Sequence, residues 1–357
     1  MLTILQIADP FTPVGASRTG GAAQVMTLLD EAVTDCGWRS LVIAPAGSSC
    51  RGTLIATAPL TGSLDDAARA RAQREQRAAV ERVLTHFPVD VVHLHGVDFH
   101  AYLPPPGPPA LVTLHRPLAC YHERALRPGR PRTFLHCVAP SQRRDVPAGV
   151  ALIADIPNGV RVASFTLARR KGGFALALGR VCADKGFDRA IDACRRAHMP
   201  LVLAGELFAQ PDDERWFHDQ LAPLIAGGDG VRLLGPLNAA RKRRLLAAAR
   251  CLVVAGRVPA TSALAAREAL ASGTPVVGLR GGALEAFVEP GRTGFLVDTI
   301  EELADAIARA PTLDPEACRR AAEEQCSAAP MVRSYLSVYR RLADGTAPER
   351  RVVGSAG

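Results

Sequence analysis

The sequence predicts an α/β protein made of two doubly wound domains, each a parallel sheet covered by helices on both faces. Three observations carry this. Short apolar runs alternate with longer helical patterns along nearly the whole chain. The runs are continuously apolar, as in strands buried on both faces of a parallel sheet. The rhythm breaks once, at 156–173 (IPNGVRVASFTLARRKGG), where a PNG turn and a polar basic stretch precede a fresh strand. The length of 357 residues suits two domains of about 150 residues each.

In the first half, strands are predicted at 3–8, 40–44, 90–95, 110–114, 134–138 and 150–156, with helices at 21–36 and 64–87. The second of these helices opens as SLDDAAR, where Ser63 can cap and Asp65 and Asp66 suit the positive helix start. In the second half, strands are predicted at 174–178, 200–204, 231–234, 251–254, 275–279 and 294–297. Helices fill 185–198, 212–226, 238–249, 262–272 and 299–309. Residues 343–357 lack periodicity and read as a mobile tail.

Composition excludes several classes. No apolar run reaches the roughly 18 residues of a membrane-spanning helix, and MLTILQIADPF reads as a first strand rather than a signal peptide. The nine cysteines are odd in number and scattered, without CxxC, so a reducing cytoplasm is expected rather than a disulfide framework or zinc ribbon. The net charge of +8 is evenly spread: 16 basic and 13 acidic groups in residues 1–165, 27 and 22 in the remainder. A nucleic-acid binder concentrates its charge. Weak peripheral attraction to the inner, anionic face of a membrane is compatible with this balance. Only three of the 43 basic residues are lysines: 171, 185 and 242.

Four segments carry chemistry. Gly15–Gly21 (GASRTGG) follows the first strand and opens a helix, either as a tight turn or as an anion cradle. It is not a Walker A loop, because Gly21-Ala22 stands where Lys-Ser/Thr is required. His93, His95, His100, His115 and His122 crowd one stretch without an HExxH or a cysteine partner, so no metal is expected. His115 ends strand ALVTLH, where ligand clefts form in open α/β sheets. Arg180 and Lys185, in LGRVCADKG, either converge on a diphosphate or decorate a solvated turn. In Pro259–Gly273, Ser262 can cap a helix with free N–H groups at its start, and Glu268 either pairs with Arg267 or another surface group or projects into a cleft.

Together these segments resemble the GT-B glycosyltransferases, specifically the family 4-like (group 1) retaining enzymes that use nucleotide sugars. The resemblance runs from about residue 3 to 342 through GGAAQVMTLLDEAVTDCGW, DVVHLHG, LVTLH, VAPSQ, IPNGV, LGRVCADKG, VRLLGPL, REALASGTPVVGLRGGALEAFVEPGRTGFLV and MVRSYLSVYRRL. It implies an acceptor-side domain at 1–165 and a nucleotide-sugar domain at 166–328, facing a cleft. A helix at 329–342, with Tyr335 and Tyr339, is implied to return to the first domain. By resemblance Arg180 and Lys185 neutralise the donor diphosphate, and Ala263 and Leu264 offer backbone N–H groups to it. Glu268 holds ribose hydroxyls, Gly20 and Gly21 lie near phosphate and acceptor, and His115 lies beside the transferred sugar. The family uses no resident cofactor or metal, and its acceptors include glycans and lipid-linked molecules. Neither the base, the sugar nor the acceptor is identified by the motifs.

The chain departs from the family at one position. The first glutamate of E-x7-E is Ala260, eight residues before Glu268. Losing a charge-assisted hydrogen bond there costs about 1.5–3 kcal/mol, a ten- to hundredfold effect. Three readings follow: another group makes the contact, the donor sugar lacks or reorients that hydroxyl, or activity is lost. The rival of the enzyme is then a glycosyltransferase-like protein that binds a sugar nucleotide or a partner without transfer.

Overall fold

The computed structural model describes all residues except 16–19, 60–61, 63, 208–209, 229 and 353–357. It divides into two compact units: Met1–Asn158 with Ala329–Gly357, and Gly159–Ala328. Along the first unit run β1 (Thr3–Ile7), α1 (Gly21–Asp35), β2 (Arg39–Pro45), β3 (Thr53–Thr57), α2 (Asp66–His86), β4 (Val91–Leu94), β5 (Ala110–Leu114), α3 (Glu123–Leu126), β6 (Thr133–Cys137) and β7 (Ala151–Leu152). The second unit holds β8 (Ala175–Leu178), α4 (Phe187–Arg196), β9 (Leu201–Ala204), α5 (Pro211–Trp216), α6 (Ala222–Ala226), β10 (Val231–Leu233), α7 (Ala239–Ala248) and β11 (Cys251–Val254). It continues through α8 (Leu264–Ala271), β12 (Val276–Leu279), β13 (Gly294–Val297), α9 (Ile300–Arg309) and α10 (Pro315–Gln325). The chain then rejoins the first unit as α11 (Ala328–Ala343) and β14 (Arg351–Val352).

The first sheet has the order β14-β7-β6-β5-β4-β1-β2-β3, the second β10-β9-β8-β11-β12-β13. All pairs are parallel except β14 on β7. Each sheet reverses its winding once, between β1 and β4 in the first and between β8 and β11 in the second. Ligand crevices form at the carboxyl ends of strands flanking such a reversal. Every residue of β1, β4, β5 and β6 is buried, the mainly apolar side chains and the few polar ones alike.

β3 and α10 are among the elements that escaped the sequence reading, with the short α3 and β14. β3 is a half-exposed edge strand, TLIAT, whose register against β2 comes from backbone pairing rather than from a strong apolar run. α10 buries only small side chains, Ala317, Cys318, Ala321 and Ala322, which give a weak amphipathic signal. Helix ends also differ in detail. Asp65 caps α2, accepting from Ala68 N at 2.7 Å, whereas Ser63 lies outside the described residues. Within the stretch read as a tail, Arg350 stacks on Phe134 and Arg351–Val352 extend the sheet edge.

α11 is held to the first sheet by a buried polar network whose protons can be assigned. His136 Nδ1 faces the Cys137 carbonyl at 3.0 Å, and a carbonyl only accepts, so Nδ1 carries the proton. His136 Nε2 then accepts from the Thr113 hydroxyl at 2.8 Å. Having spent its one proton, Thr113 accepts from His93 Nε2 at 2.7 Å and from the Tyr335 hydroxyl at 3.1 Å. His93 Nδ1 is left to accept from the Tyr339 hydroxyl at 2.6 Å. Each proton has one place only while both histidines are neutral, and burial lowers both pKa values, that of His136 to about 4. The unfolded chain takes up these protons first, so the network's contribution is full above about pH 6.5 and is lost as the pH falls toward 4. Unfolding free energy, measured with urea, should therefore drop between pH 7.5 and 5. Thr113→Val should cost more than about 2 kcal/mol at pH 7.5, since it strands two donors and one acceptor; stability indifferent to both changes would refute the assignment.

Candidate functional site

In the second unit the switch point gathers cations and helix-start amides. Arg180 stands two positions past β8 and is half-buried; no partner meets its guanidinium among the described residues. Lys185 ends the short turn Ala183–Lys185, and its stem lies over Gly179, where an added Cβ would sit 3.3 Å from Lys185 Cγ and Cδ. Both cations thus belong to one loop that closes back on itself. Gly186 ends the turn at φ +62°, with an added Cβ only 2.0 Å from the Ala255 carbonyl oxygen, so no other residue fits. Arg257 fastens the same turn from the loop after β11. Its backbone N–H donates to Asp184 O at 2.9 Å, and its guanidinium to Ala183 O at 3.0 Å and to both Asp188 oxygens at 2.8 and 2.5 Å.

Beyond β11 the chain reaches α8. Its N-cap is Ala263 in the left-handed region, φ 48°, not Ser262 as the sequence suggested. The Ala263 carbonyl accepts from Ala266 and Arg267, while the N–H groups of Leu264 and Ala265 find no acceptor among the described residues. No side chain caps this end, which leaves a positive helix start suited to an anion.

Glu268 lies little more than one turn into α8 and is 3% exposed. Neither the expected Arg267 pair nor an open surface position is found. Glu268 Oε1 accepts from Lys242 Nζ of α7 at 2.5 Å, and Arg267 lies over the Phe287 ring while donating to Gln325 O. Burial raises the Glu268 pKa against the pull of the Lys242 ammonium. A buried charge stripped of its partner costs several kcal/mol. Lys242→Met should therefore destabilise the protein by about 3–5 kcal/mol in urea unfolding. Adding Glu268→Leu to it should restore most of the loss; a silent single substitution would contradict the pairing.

In the first unit the sequence-predicted residues fall into two places. Gly20 caps α1 and Gly21 begins it, both exposed; part of the Gly15–Gly21 loop lies outside the described residues. His115 follows β5, and its Nε2 meets Nδ1 of buried His95 at 3.0 Å with the rings stacked. Burial, then His136, lowers the His115 pKa to about 3, so it acts as a neutral ring. His93 belongs to the α11 network, and His100 stacks on His122. No group of metal-ligating side chains is found among the described residues.

A residue the sequence reading passed over is Asp9, two positions past β1 and so beside the β1–β4 reversal. It accepts from Phe11 N at 2.8 Å. Burial, then the neighbouring Asp98 charge, raises its pKa to about 6 against Arg69 and Arg116. Asp98 itself is engaged by Gln73 at 2.6 Å and by the Tyr102 hydroxyl. The signal available in sequence was the acid directly after the first strand in LQIADPF. If the Asp9 carboxylate serves the reaction, the pH–rate profile should lose activity below about pH 6, and Asp9→Asn should remove that limb. His115 should contribute no limb above about pH 4.

Fold and site thus define an α/β protein of two doubly wound units, the second with an anion-receptive switch point. Residues 174–311 match the family described as glycosyl transferases group 1. No curated protein matches the chain. Among solved structures, AviGT4, a glycosyltransferase involved in avilamycin A biosynthesis, is 23% identical with a TM-score of 0.73, over 98% of this chain and 100% of that one. Sucrose-phosphate synthase from Thermosynechococcus elongatus is 20% identical with a TM-score of 0.76, over 97% and 100%. Anabaena HepE, solved with UDP and glucose, is 17% identical with a TM-score of 0.70, over 95% and 100%. These likenesses show the GT-B fold. The family match falls wholly within the second unit. No described helix is long and apolar enough to cross a membrane.

Proposed function

We propose that the chain is a retaining glycosyltransferase of the group 1, family 4-like kind, whose second unit binds the diphosphate of a nucleotide-sugar donor at the β8–β11 switch point and whose first unit binds the acceptor. The observation that carries this is the pairing of two cations, Arg180 and Lys185, with the uncapped start of α8 at Ala263 and Leu264. As the C1–O bond to the diphosphate breaks, negative charge grows on the leaving group, and these groups are assigned to stabilise it. The acceptor oxygen bonds C1 on the face the diphosphate leaves, and its proton passes to the departing phosphate oxygen. This step needs neither a carboxylate nucleophile nor a metal ion.

Glu268, fixed by Lys242, is assigned to the ribose hydroxyls. Gly20, Gly21 and neutral His115 are assigned to the acceptor and the transferred sugar, and Asp9 to the acceptor. HepE has been solved with UDP-glucose, so uridine donors head the candidates; a glycan or a lipid-linked molecule is the acceptor class.

Thermal shift with UDP, GDP and ADP and their sugars, followed by a nucleotide-release assay, tests this reading. Arg180→Ala and Lys185→Ala should each weaken nucleotide-sugar binding or turnover about tenfold or more. Unchanged behaviour in both would defeat the placement. Binding without release, with candidate acceptors present, would favour the non-transferring rival that Ala260 suggests.

A further inference from the structure

Beside the turn that carries Lys185, the second unit contains a cavity of about 190 Å³. That is roughly six water volumes at about 30 Å³ each, enough for one pyranose ring. Arg189, Arg257, Ala260, Arg280, Gly281 and Asp298 are among its walls. Ala260 presents only a methyl group there, and its backbone is pinned, its carbonyl accepting from Ala283 N at 2.8 Å.

The charges in the walls do not balance. Arg257 is matched by Asp188 through two hydrogen bonds. Arg280 is matched by Asp298 at 3.2 Å and donates to Leu296 O at 3.0 Å. Arg189, half-buried on α4, has no acceptor for its guanidinium among the described residues. Two ion pairs therefore cancel, and one cation remains. A cation without a partner at the edge of a ring-sized cavity matches an anionic group on the occupant.

Position adds the rest. Arg189 lies one helical turn beyond Lys185, and Ala260 lies three residues before the α8 cap, so the cavity is flanked by both elements assigned to the diphosphate. Gly256, also in its wall, has its Cα 3.3 Å from where a Cβ on Gly186 would stand. We infer that the cavity receives the donor's sugar ring and that this sugar is a uronic acid, its carboxylate held by Arg189. A glutamate at position 260 would repel such a carboxylate, whereas the alanine found there admits it. The inference rests on the diphosphate placement proposed above.

The test compares UDP-glucuronic acid with UDP-glucose, and GDP-mannuronic acid with GDP-mannose, by binding and by nucleotide release on the full chain. The wild type should favour the uronate of the productive pair by about tenfold or more. Arg189→Ala should bring the ratio close to one, and Ala260→Glu should turn it toward the neutral hexose. A wild-type ratio at or below one, or a ratio unmoved by Arg189→Ala, overturns the inference. The two levels separate cleanly. Nucleotide binding that depends on Arg180 without uronate preference sinks this inference alone. Failure of UDP, GDP and ADP to bind, or binding indifferent to Arg180→Ala, sinks the diphosphate placement and the inference with it.

Discussion

The arrangement of the second unit turns on one close approach, Gly186 against the Ala255 carbonyl. At 2.0 Å from that oxygen a Cβ is excluded outright, and the left-handed backbone at Gly186 excludes it again. The bidentate pair of Arg257 and Asp188 is 36% and 21% exposed, so solvent screens it and its share is modest. The steric contact therefore sets the position of the turn, and the ion pair steadies it. From that turn follow the path of the Lys185 stem over Gly179, the entry of α4 and hence the place of Arg189. The loop after β11 is fixed by the same contact and leads on to Ala260 and the start of α8. Two strands that flank the reversal are thus locked at their carboxyl ends, where the chemistry is assigned.

Two buried polar sites, one in each unit, are managed in opposite ways. Under α11 the first sheet buries neutral groups only, and stability comes from a proton arrangement without alternatives. In the second unit a full charge is buried, Glu268, and a lysine meets it. Lysine use is telling in a chain with 40 arginines among its 43 basic residues. Lys242 meets a single carboxylate oxygen in a confined space. Lys171 gathers Ala247 O, Ser272 O and Thr274 Oγ1 within 3.0 Å, and burial lowers its pKa to about 8. Both sites want a compact ammonium with rotatable donors; a planar fork would not fit three acceptors from three directions.

Much of this was legible in the sequence, for identifiable reasons. Strands buried on both faces announce themselves as apolar runs, and the break near 156–173 falls close to where the units part at Asn158 and Gly159. The positions of Arg180 and Lys185, after a strand and in a turn, were legible because local chain geometry sets them, while their role is a proposal. What stayed hidden depends on contacts between residues far apart in sequence. Glu268 and Lys242 are 26 residues apart and meet only when α7 and α8 pack. Asp9 owes its raised pKa to burial first and then to Asp98, which follows β4 in the chain. Ala263 hid for another reason: an alanine at positive φ contradicts its own propensity, so Ser262 looked the better cap.

Charge arithmetic gives the alanine at 260 a physical meaning. On the proposed placement, Arg180 and Lys185 bring two positive charges to the diphosphate, and the α8 start adds roughly half a charge more. That supply is of the order of the charge that a leaving nucleoside diphosphate develops, so no further cation is required at the reacting bond. Arg189 is then in excess, one turn away on α4, where the diphosphate has no use for it. An excess cation beside a ring-sized cavity raises the free energy of a neutral occupant's complex relative to that of an anionic one. A carboxylate from the protein at position 260 would have removed the difference. With alanine there, the counter-charge has to arrive with the substrate.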